Sequence, residues 1–152
     1  MLEQLYHAIK KSEIELILSI LDKDNNLIFQ LNERNESLIL YAIRTGSSLD
    51  VINLLIIRGC DVNSKDEFGD TPLIIAATSG NINIAQLLIT HFADLDLQDN
   101  WGNTALILSI LNSHYDISEI LIYNNANTQL KNYSGKDALF FLKKYDRKDI
   151  ID

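Results

Sequence analysis

The 152-residue sequence is 47% hydrophobic and 22% charged, which is typical of a folded globular chain and excludes a disordered one. It contains no long apolar run and no basic-then-apolar N-terminal segment, so we expect neither a membrane span nor a secretory leader. The formal net charge of −8 disfavours nucleic acid and anionic membranes as partners, and the single cysteine, Cys60, suits a reducing compartment such as the cytoplasm.

A block of about 33 residues repeats along the chain. Glycine recurs at this spacing in three turns, with leucine four residues after each glycine. The columns are Gly69, Gly102 and Gly135, and Leu73, Leu106 and Leu139. Repetition of this length predicts a stack of similar structural units, each of which buries its apolar flank against the next.

The first two units are the more divergent ones. We expect residues 1–31 to form an N-terminal cap, with a capping box at Ser12–Glu15 that begins its second helix. The second unit, residues 32–65, has its first predicted helix at Leu38–Ala42 and its second around Asp50–Ile57.

The third unit, residues 66–98, shows the pattern most completely. Thr71 is of the type that caps a helix N-terminus, and Pro72 suits the first helical position. Gly80 then breaks this helix, and the apolar residues of Ile82–Ile89 have the 3.6-residue period of a second helix.

The fourth unit, residues 99–131, and the fifth, residues 132–152, follow the same order, with Thr104 and Asp137 in the N-cap column. We expect the fifth unit to act as the C-terminal cap and to expose a basic face. The basic residues are Lys143, Lys144, Arg147 and Lys148. No linker interrupts the five units, so we expect a single domain over residues 1–152.

This unit resembles the ankyrin repeat. Residues 69–80 (GDTPLIIAATSG) are similar to that family's turn-Thr-Pro-Leu-His and Ala-Ala-x-x-Gly run, and residues 54–63 (LLIIRGCDVN) are similar to its Leu-Leu-x-x-Gly-Ala-Asp-Val-Asn ending. The resemblance implies an all-α ankyrin-repeat solenoid of stacked helix-turn-helix units with short β-turn tips. It covers residues 32–145 well and the first 30 residues only loosely.

Two columns depart from the family pattern. Its usual His is replaced by Ile39, Ile74, Ile107 and Phe140, so the hydrogen bond that this His gives to a neighbouring loop is expected to be missing. The glycine that ends the second helix is kept as Gly59 but becomes Phe92 and Asn125. Because a left-handed backbone is unfavourable for Phe, we expect a rebuilt or strained turn at Phe92.

The resemblance implies that the turn tips and the ends of the first helices bind another protein, without catalysis. The candidate tip residues are Glu67, Phe68, Asp70, Asn100, Trp101, Asn103, Tyr133, Ser134 and Lys136. The candidate helix-end residues are Thr78, Ser79, Leu111, Asn112, Lys144 and Tyr145.

The aromatic and acidic residues of this set indicate the type of partner. Phe68, Trp101 and Tyr133 are spaced by 33 and 32 residues, which predicts an aromatic row across the tips. Residues 66–130 hold eight acidic residues and no Lys or Arg, so the row's first two members lie in an acidic field. This combination suits a basic protein or peptide. Two alternatives stay open: each ring covers its own turn, and the acidic residues only keep the protein soluble.

Two functional classes fit this surface. The first is a general protein-binding module that docks a basic segment. The second is a dedicated inhibitor or immunity protein that neutralises a cationic enzyme or toxin, or a pathogen effector that binds a host protein. We expect a monomer, since like charges would face each other in a homodimer through the acidic centre.

The sequence contains no convincing catalytic, metal or cofactor site. His7, His91 and His114 fall in different units and columns, and with Cys60 they lack metal-ligand spacing. We interpret Cys60 as a packed, inert thiol.

Two other groups contain the residue types of a catalytic site, a Ser-His-Asp set and paired carboxylates, but not its arrangement. Ser113, His114 and Asp116 are too close in sequence to align as a triad, so we interpret Ser113 and Asp116 as a helix cap. Tip carboxylates such as Asp66 and Glu67 are expected in exposed turns that leave their pKa values unraised. We therefore expect no enzyme activity, no metal and no cofactor.

Overall fold

The computed structural model describes residues 1–150, so the last two residues of the predicted unit 132–152 lie outside the described residues. Over this range the protein has nine α-helices, two short 3-10 helices (Asn25–Phe29 and Lys148–Ile150) and no β-strand. The α-helices are α1 (Leu2–Lys10), α2 (Ile14–Lys23), α3 (Leu38–Thr45), α4 (Leu49–Ile57), α5 (Pro72–Ser79), α6 (Ile82–Thr90), α7 (Ala105–Leu111), α8 (Tyr115–Tyr123) and α9 (Ala138–Lys144). Within residues 1–150, every helix is too short or too polar to cross a bilayer.

The helices form two layers. The inner layer consists of α1, α3, α5, α7 and α9, which pack on one another in chain order. Each of the first four inner helices packs against the outer helix that follows it, and in the outer layer α4 contacts α6 and α6 contacts α8. This is the predicted all-α repeat fold.

The core lies between and within the two layers. In α5 the consecutive residues Leu73 and Ile74 are both buried, because an inner helix contacts neighbours on three sides. Ala76 and Ala77 are also buried, and their small side chains allow close approach of the next inner helix. Each fully buried Leu or Ile stabilises the stack by roughly 1.5–3 kcal/mol relative to an exposed one.

The three predicted N-caps are confirmed. The Oγ1 atoms of Thr71 and Thr104 each accept the backbone N–H three residues later at 3.2 Å, and Oδ1 of Asp137 accepts that of Phe140 at 2.8 Å. These bonds satisfy one of the free N–H groups that begin each of the three inner helices α5, α7 and α9.

The two predicted serine caps are wrong. Helix α2 begins after Glu13 and α8 after His114, and neither start has a side-chain cap bond. Ser12 and Ser113 instead have left-handed φ values of +56° and +62°. They hold the inter-helix turn position that Gly80 occupies in the third unit, so their side chains cannot cap the following helix.

The column of the missing His also needs a correction in the second unit. Helix α3 begins after Ser37 and α5 after Thr71, so Leu40, and not Ile39, corresponds to Ile74. Both candidates are fully buried, and an apolar side chain fills this column in either alignment.

Of the two alternatives for the helix-ending column, a rebuilt or a strained turn, the structure has the strained one. Phe92 has a left-handed φ of +59°, and Asn125 has +65°. The chain therefore keeps the turn geometry of Gly59 and places a bulky side chain in a conformation that such a side chain rarely adopts.

Candidate functional site

Four tips of five residues precede the inner helices α3, α5, α7 and α9. The tips are Asn32–Glu36, Asp66–Asp70, Asp99–Asn103 and Asn132–Lys136. In each tip the first residue is Asp or Asn, and its Oδ1 accepts the backbone N–H groups two and four residues later at 2.8–3.1 Å. This bonding turns the backbone sharply and brings the fourth residue to a left-handed conformation.

Sequence reasoning missed this Asp/Asn column. The signal was available, because an Asp or Asn stands three residues before Gly69, Gly102 and Gly135. These side chains bond to the backbone of their own tips, so their role in the site is to shape the tips.

Asp66 and Asp99 are buried, which contradicts the expectation of exposed tip carboxylates. Asp66 also pairs with the guanidinium of Arg44 on α3, whose Nε atom lies 3.1 Å from Oε1 of Glu36. Burial of a carboxylate is tolerated when several donors compensate for the lost water. The exposed acidic field is therefore smaller than the residue count indicates.

Asp70 does not have an ordinary carboxyl group either. Its pKa is raised to about 6, first because the group is half-buried and then because Asp66 and Asp99 are negatively charged neighbours. The guanidinium of Arg44 opposes this shift, with Nη2 4.0 Å from Oδ2 of Asp70. The expectation of unraised pKa values in the tips is thus wrong at this residue.

Backbone bonds between neighbouring tips set their spacing. The N–H of Asn100 donates to the carbonyl of Phe68 at 3.0 Å, and the N–H of Tyr133 donates to the carbonyl of Trp101 at 2.9 Å. The Asn100 side chain adds a bond from Nδ2 to the carbonyl of Glu67 at 2.9 Å. The second, third and fourth tips therefore form a bonded row with little freedom to separate.

The last two tips are joined by side chains as well. Nδ2 of Asn103 donates to Asp99 at 3.2 Å, and Oδ1 of Asn103 accepts from Nδ2 of Asn132 at 3.0 Å. Ser134 is exposed at the final tip, where Nζ of Lys136 lies 5.2 Å from the ring centroid of Phe140. The row thus changes from acidic to basic at its C-terminal end.

The three tip aromatics lie on neighbouring tips. The rings of Phe68 and Trp101 stack with centroids 6.4 Å apart and planes 19° apart, yet 46% and 57% of these residues are exposed. Tyr133 lies against the turn of Gly102, where an added Cβ would stand 2.7 Å from Cδ1 of Tyr133, and it is 78% exposed. Tyr133 thus covers the preceding turn and still presents most of its surface.

The candidate residues at the ends of α5 and α7 are exposed, but their polar groups are engaged. Thr78, Ser79 and Asn112 each donate to the backbone carbonyl four residues earlier, all at 2.8 Å. Leu111, beside Asn112, is an exposed apolar residue. This part of the surface therefore offers apolar contact more readily than new hydrogen-bond donors.

A cavity of about 720 Å³ opens between α1, the first tip and α3. Its lining includes Tyr6, His7, Arg34 and Tyr41, and the rings of Tyr6 and Tyr41 meet edge-to-face at 4.8 Å. Sequence reasoning considered only His7 among these residues, and as a metal ligand, because the first unit diverges too far from the others for its columns to predict a shared surface with the second. Burial raises the pKa of Tyr6 to about 12.

A model of ankyrin repeats, in three copies, matches residues 38–132. The chain belongs to the ankyrin-repeat family. Ankyrin repeats generally mediate protein–protein interactions and are typically not catalytic. No curated protein shows a significant similarity to the chain.

In this ankyrin-repeat protein, the cysteine and two of the histidines are buried or hydrogen-bonded within the fold. Cys60 is buried, as predicted, and burial raises the pKa of its thiol to about 12, which disfavours the reactive thiolate. Nε2 of His91 lies 2.7 Å from Oδ1 of Asn53, and Nε2 of His114 lies 3.2 Å from the carbonyl of Thr78. In residues 1–150, His, Cys, Asp and Glu side chains do not gather in threes as metal ligands would.

Replacing Gly69 by Ala tests the close approach of the ankyrin tips. The added Cβ would lie 2.6 Å from Oδ1 and 2.9 Å from the backbone N of Asn100, whereas nothing lies within 4 Å of a Cβ at Gly135, which has nearly the same φ. We expect Gly69→Ala to lower the free energy of unfolding by about 1–2 kcal/mol more than Gly135→Ala does. Chemical denaturation measures both, and equal losses would contradict a tight tip contact.

Replacing Asp70 by Asn, the residue that the next tip has at Asn103, tests the raised pKa. The folded state holds the Asp70 proton more tightly than the unfolded state, so this group's contribution to stability falls as pH rises from about 4 to about 6. Because Asn does not ionise, the Asp70→Asn variant does not lose this stability as the pH rises.

As the pH rises from about 4 to about 6, we expect the melting temperature of this variant to increase relative to that of the wild type. At neutral pH the gain is about 1 kcal/mol or roughly 2–4 °C, because the half-buried carboxylate keeps part of its hydration. A difference between the two proteins that does not change with pH would contradict the raised pKa.

Proposed function

We propose that this ankyrin-repeat chain is a non-catalytic binding module that docks a basic protein or peptide on its tips and inner helices. The stacked, exposed pair of Phe68 and Trp101 carries the proposal. Two large rings held by bonded tips lose little conformational freedom when a partner covers them, so their apolar surface contributes strongly to affinity.

The charges beside this pair support a cationic partner. Glu67 is exposed next to Phe68, and Asp70 is half-buried two residues further on. A Lys or Arg side chain lying over the Trp101 ring would interact with its π face and remain within reach of these carboxylates. The basic final tip, with Lys136, disfavours the same contact there, so the partner's basic segment is placed over the second and third tips.

The inner helices supply an apolar floor beside the tips. Ile75 and Leu108 are half-buried and Leu111 is exposed, all on the helices that follow these two tips. Because Thr78 and Ser79 are already bonded to their own helix, we expect apolar side chains of the partner to lie over this floor and basic ones over the tips.

The second candidate is a dedicated inhibitor, immunity protein or pathogen effector. It is favoured by uncompensated acidic charge: within the described part of the chain, five carboxylates of the central units that are not buried have no Lys or Arg within salt-bridge distance. They are Glu67, Asp94, Asp96, Asp116 and Glu119. Such a surface fits the nucleic-acid-binding face of a cationic enzyme or toxin. A dissociation constant of about 1 nM or lower would favour the inhibitor, and one of about 1 μM the general module.

We further propose that the chain acts as a monomer in a reducing compartment such as the cytoplasm, and that nucleic acid is not its partner. The acidic central units support both statements, because two such surfaces, or one surface and a phosphate backbone, repel each other. The single cysteine, buried and without a partner cysteine, is compatible with a reducing environment.

Replacing Trp101 by Ala tests the anchor. The immobilised chain captures its partner, mass spectrometry identifies it, and calorimetric titration with the purified partner measures affinity. We expect Trp101→Ala to weaken binding at least about tenfold, since loss of a central aromatic contact costs about 1.4 kcal/mol or more. Circular dichroism is expected to show unchanged helix content.

Phe29→Ala is the matched control, because Phe29 is also an exposed aromatic but lies outside the tips. It is expected to bind the partner as the wild type does. The anchor role is wrong if Trp101→Ala binds with wild-type affinity.

The salt dependence of association tests the acidic field. If the central acidic residues attract the partner, the association rate constant is expected to fall by about an order of magnitude between about 0.05 and 0.5 M NaCl, while dissociation changes less. Stopped-flow fluorescence of Trp101 measures both rates. A flat association rate would leave the acidic residues with a solubilising role only.

A further inference from the structure

A second group of exposed apolar residues lies at the C-terminal ends of the outer helices. Its central residue is Phe92, which follows α6 and is 90% exposed. Its φ of +59° is left-handed. The matching turns have Gly59 (φ +108°) and Asn125 (φ +65°) at this position, and both of these residue types tolerate a left-handed backbone. A bulky apolar side chain in this turn is unfavourable for the backbone and gains nothing by burial.

Exposed apolar residues also end the two helices beside α6. Ile57 is the last residue of α4 and is 67% exposed, and Tyr123 is the last residue of α8 and is 86% exposed. The matching residue of α6 is the polar Thr90, so Phe92, two residues later, provides the apolar surface in the middle. Because α4 and α8 both pack on α6, the order across the surface is Ile57, Phe92, Tyr123.

Three carboxylates follow Ile57 and Phe92 within four residues of the chain and are held in place by backbone bonds. Asp61 and Asp94 each accept the N–H two residues later, at 2.8 and 3.0 Å, and Asp96 accepts the N–H of Asn127 at 2.8 Å. Lys and Arg within residues 1–150 make no salt bridge to these three groups. We call Ile57, Phe92 and Tyr123 with Asp61, Asp94 and Asp96 the outer-edge patch.

The basic side chains nearest in sequence are already occupied. Arg58, next to Ile57, binds Asp22 with an Nη2–Oδ1 distance of 2.7 Å. His91, next to Phe92, has its Nε2 2.7 Å from Oδ1 of Asn53. The outer-edge patch is therefore apolar along its row and negative beside it.

We propose that the outer-edge patch is a second docking site, and that its occupant is a cationic amphipathic helix of a partner protein. Charge complementarity selects a segment with Lys or Arg beside an apolar stripe. Neighbouring packed helices lie about 8–10 Å apart, so successive apolar residues of the patch are spaced by about two turns of a helix. A helix with apolar residues repeating every seven positions matches all three.

A defined peptide tests the proposal without knowledge of the natural partner. The probe is a synthetic, fluorescently labelled helix with Leu at every first and fourth position of a heptad and Lys elsewhere, and its anisotropy is followed as the full chain is added. A matched peptide with Glu in place of Lys tests the charge. We expect the Lys peptide to bind at least tenfold more tightly than the Glu peptide.

Phe92→Asn is the decisive variant, because Asn is the natural residue at the matching position 125. We expect it to raise the melting temperature, since the strained turn is relaxed, and to weaken the Lys peptide at least fivefold. Phe29→Ala, at another exposed aromatic, is expected to change neither quantity. Higher stability with weaker binding separates a docking residue from one that merely supports the fold.

Trp101 is the only tryptophan and lies in the tips, so its emission distinguishes the two surfaces. Binding at the outer-edge patch is expected to leave this emission unchanged. The proposal is overturned if Phe92→Asn binds the peptide as the wild type does, or if binding shifts the Trp101 emission equally in both proteins. It is also overturned if sedimentation shows that the wild type dimerises and Phe92→Asn does not, because the patch is then an interface between two copies.

Discussion

Close contact between successive tips is the constraint on which the rest of the structure depends. A helix pair of this size cannot bury its apolar flank alone, so each unit is stable only when the next lies against it. At Gly69 the backbone of one tip meets Asn100 of the next at a distance that leaves no room for a Cβ atom, and Gly102 meets Tyr133 in the same way. The Asp or Asn that begins each tip bonds its backbone into the shape that permits this contact.

The same constraint explains why the tips are suited to binding. Once the backbone groups of a tip are satisfied by its own Asp or Asn and by the neighbouring tip, the third residues of the tips contribute no side chain to these bonds. Their side chains project outward, as Phe68 and Trp101 do. The fold thus supplies a rigid row of positions whose side chains are free to vary with the partner.

The two apolar surfaces differ in what they cost the fold. Phe68 and Trp101 stack on each other in unstrained positions and recover part of their apolar surface by this contact. Phe92 is more exposed and in a conformation that favours glycine. The acidic residues also differ in exposure. Asp66 and Asp99 are buried in the tips, where they bond to the backbone, whereas Asp94 and Asp96 remain accessible near Phe92 in the chain. Counting charges along the chain cannot make this distinction.

Much of the fold was predictable, because a repeated column reports a repeated local requirement. The N-caps at Thr71, Thr104 and Asp137 depend on neighbours within a few residues, and the sequence predicted them. The strained turn at Phe92 was one of the two alternatives that the sequence offered. The prediction for Ser12 and Ser113 was wrong because the sequence does not distinguish a serine with a left-handed backbone from a serine that caps a helix. Only the position of the inter-helix turn distinguishes them. The alignment of Leu40 with Ile74 was missed for a similar reason. Ile39 and Leu40 are both apolar, so residue type does not show which of them belongs to this column.

The sequence by itself determined the family, the order of helices and the set of tip residues, since these follow from local spacing and residue type. Only the tertiary structure decided which carboxylates are buried, that the Phe68 and Trp101 rings stack, and that Thr78, Ser79 and Asn112 are bonded to their own helices. It also disclosed the cavity beside Tyr6 and the alignment of Ile57, Phe92 and Tyr123. These features depend on distances between units, and such distances are set by packing across the stack, which no stretch of sequence contains.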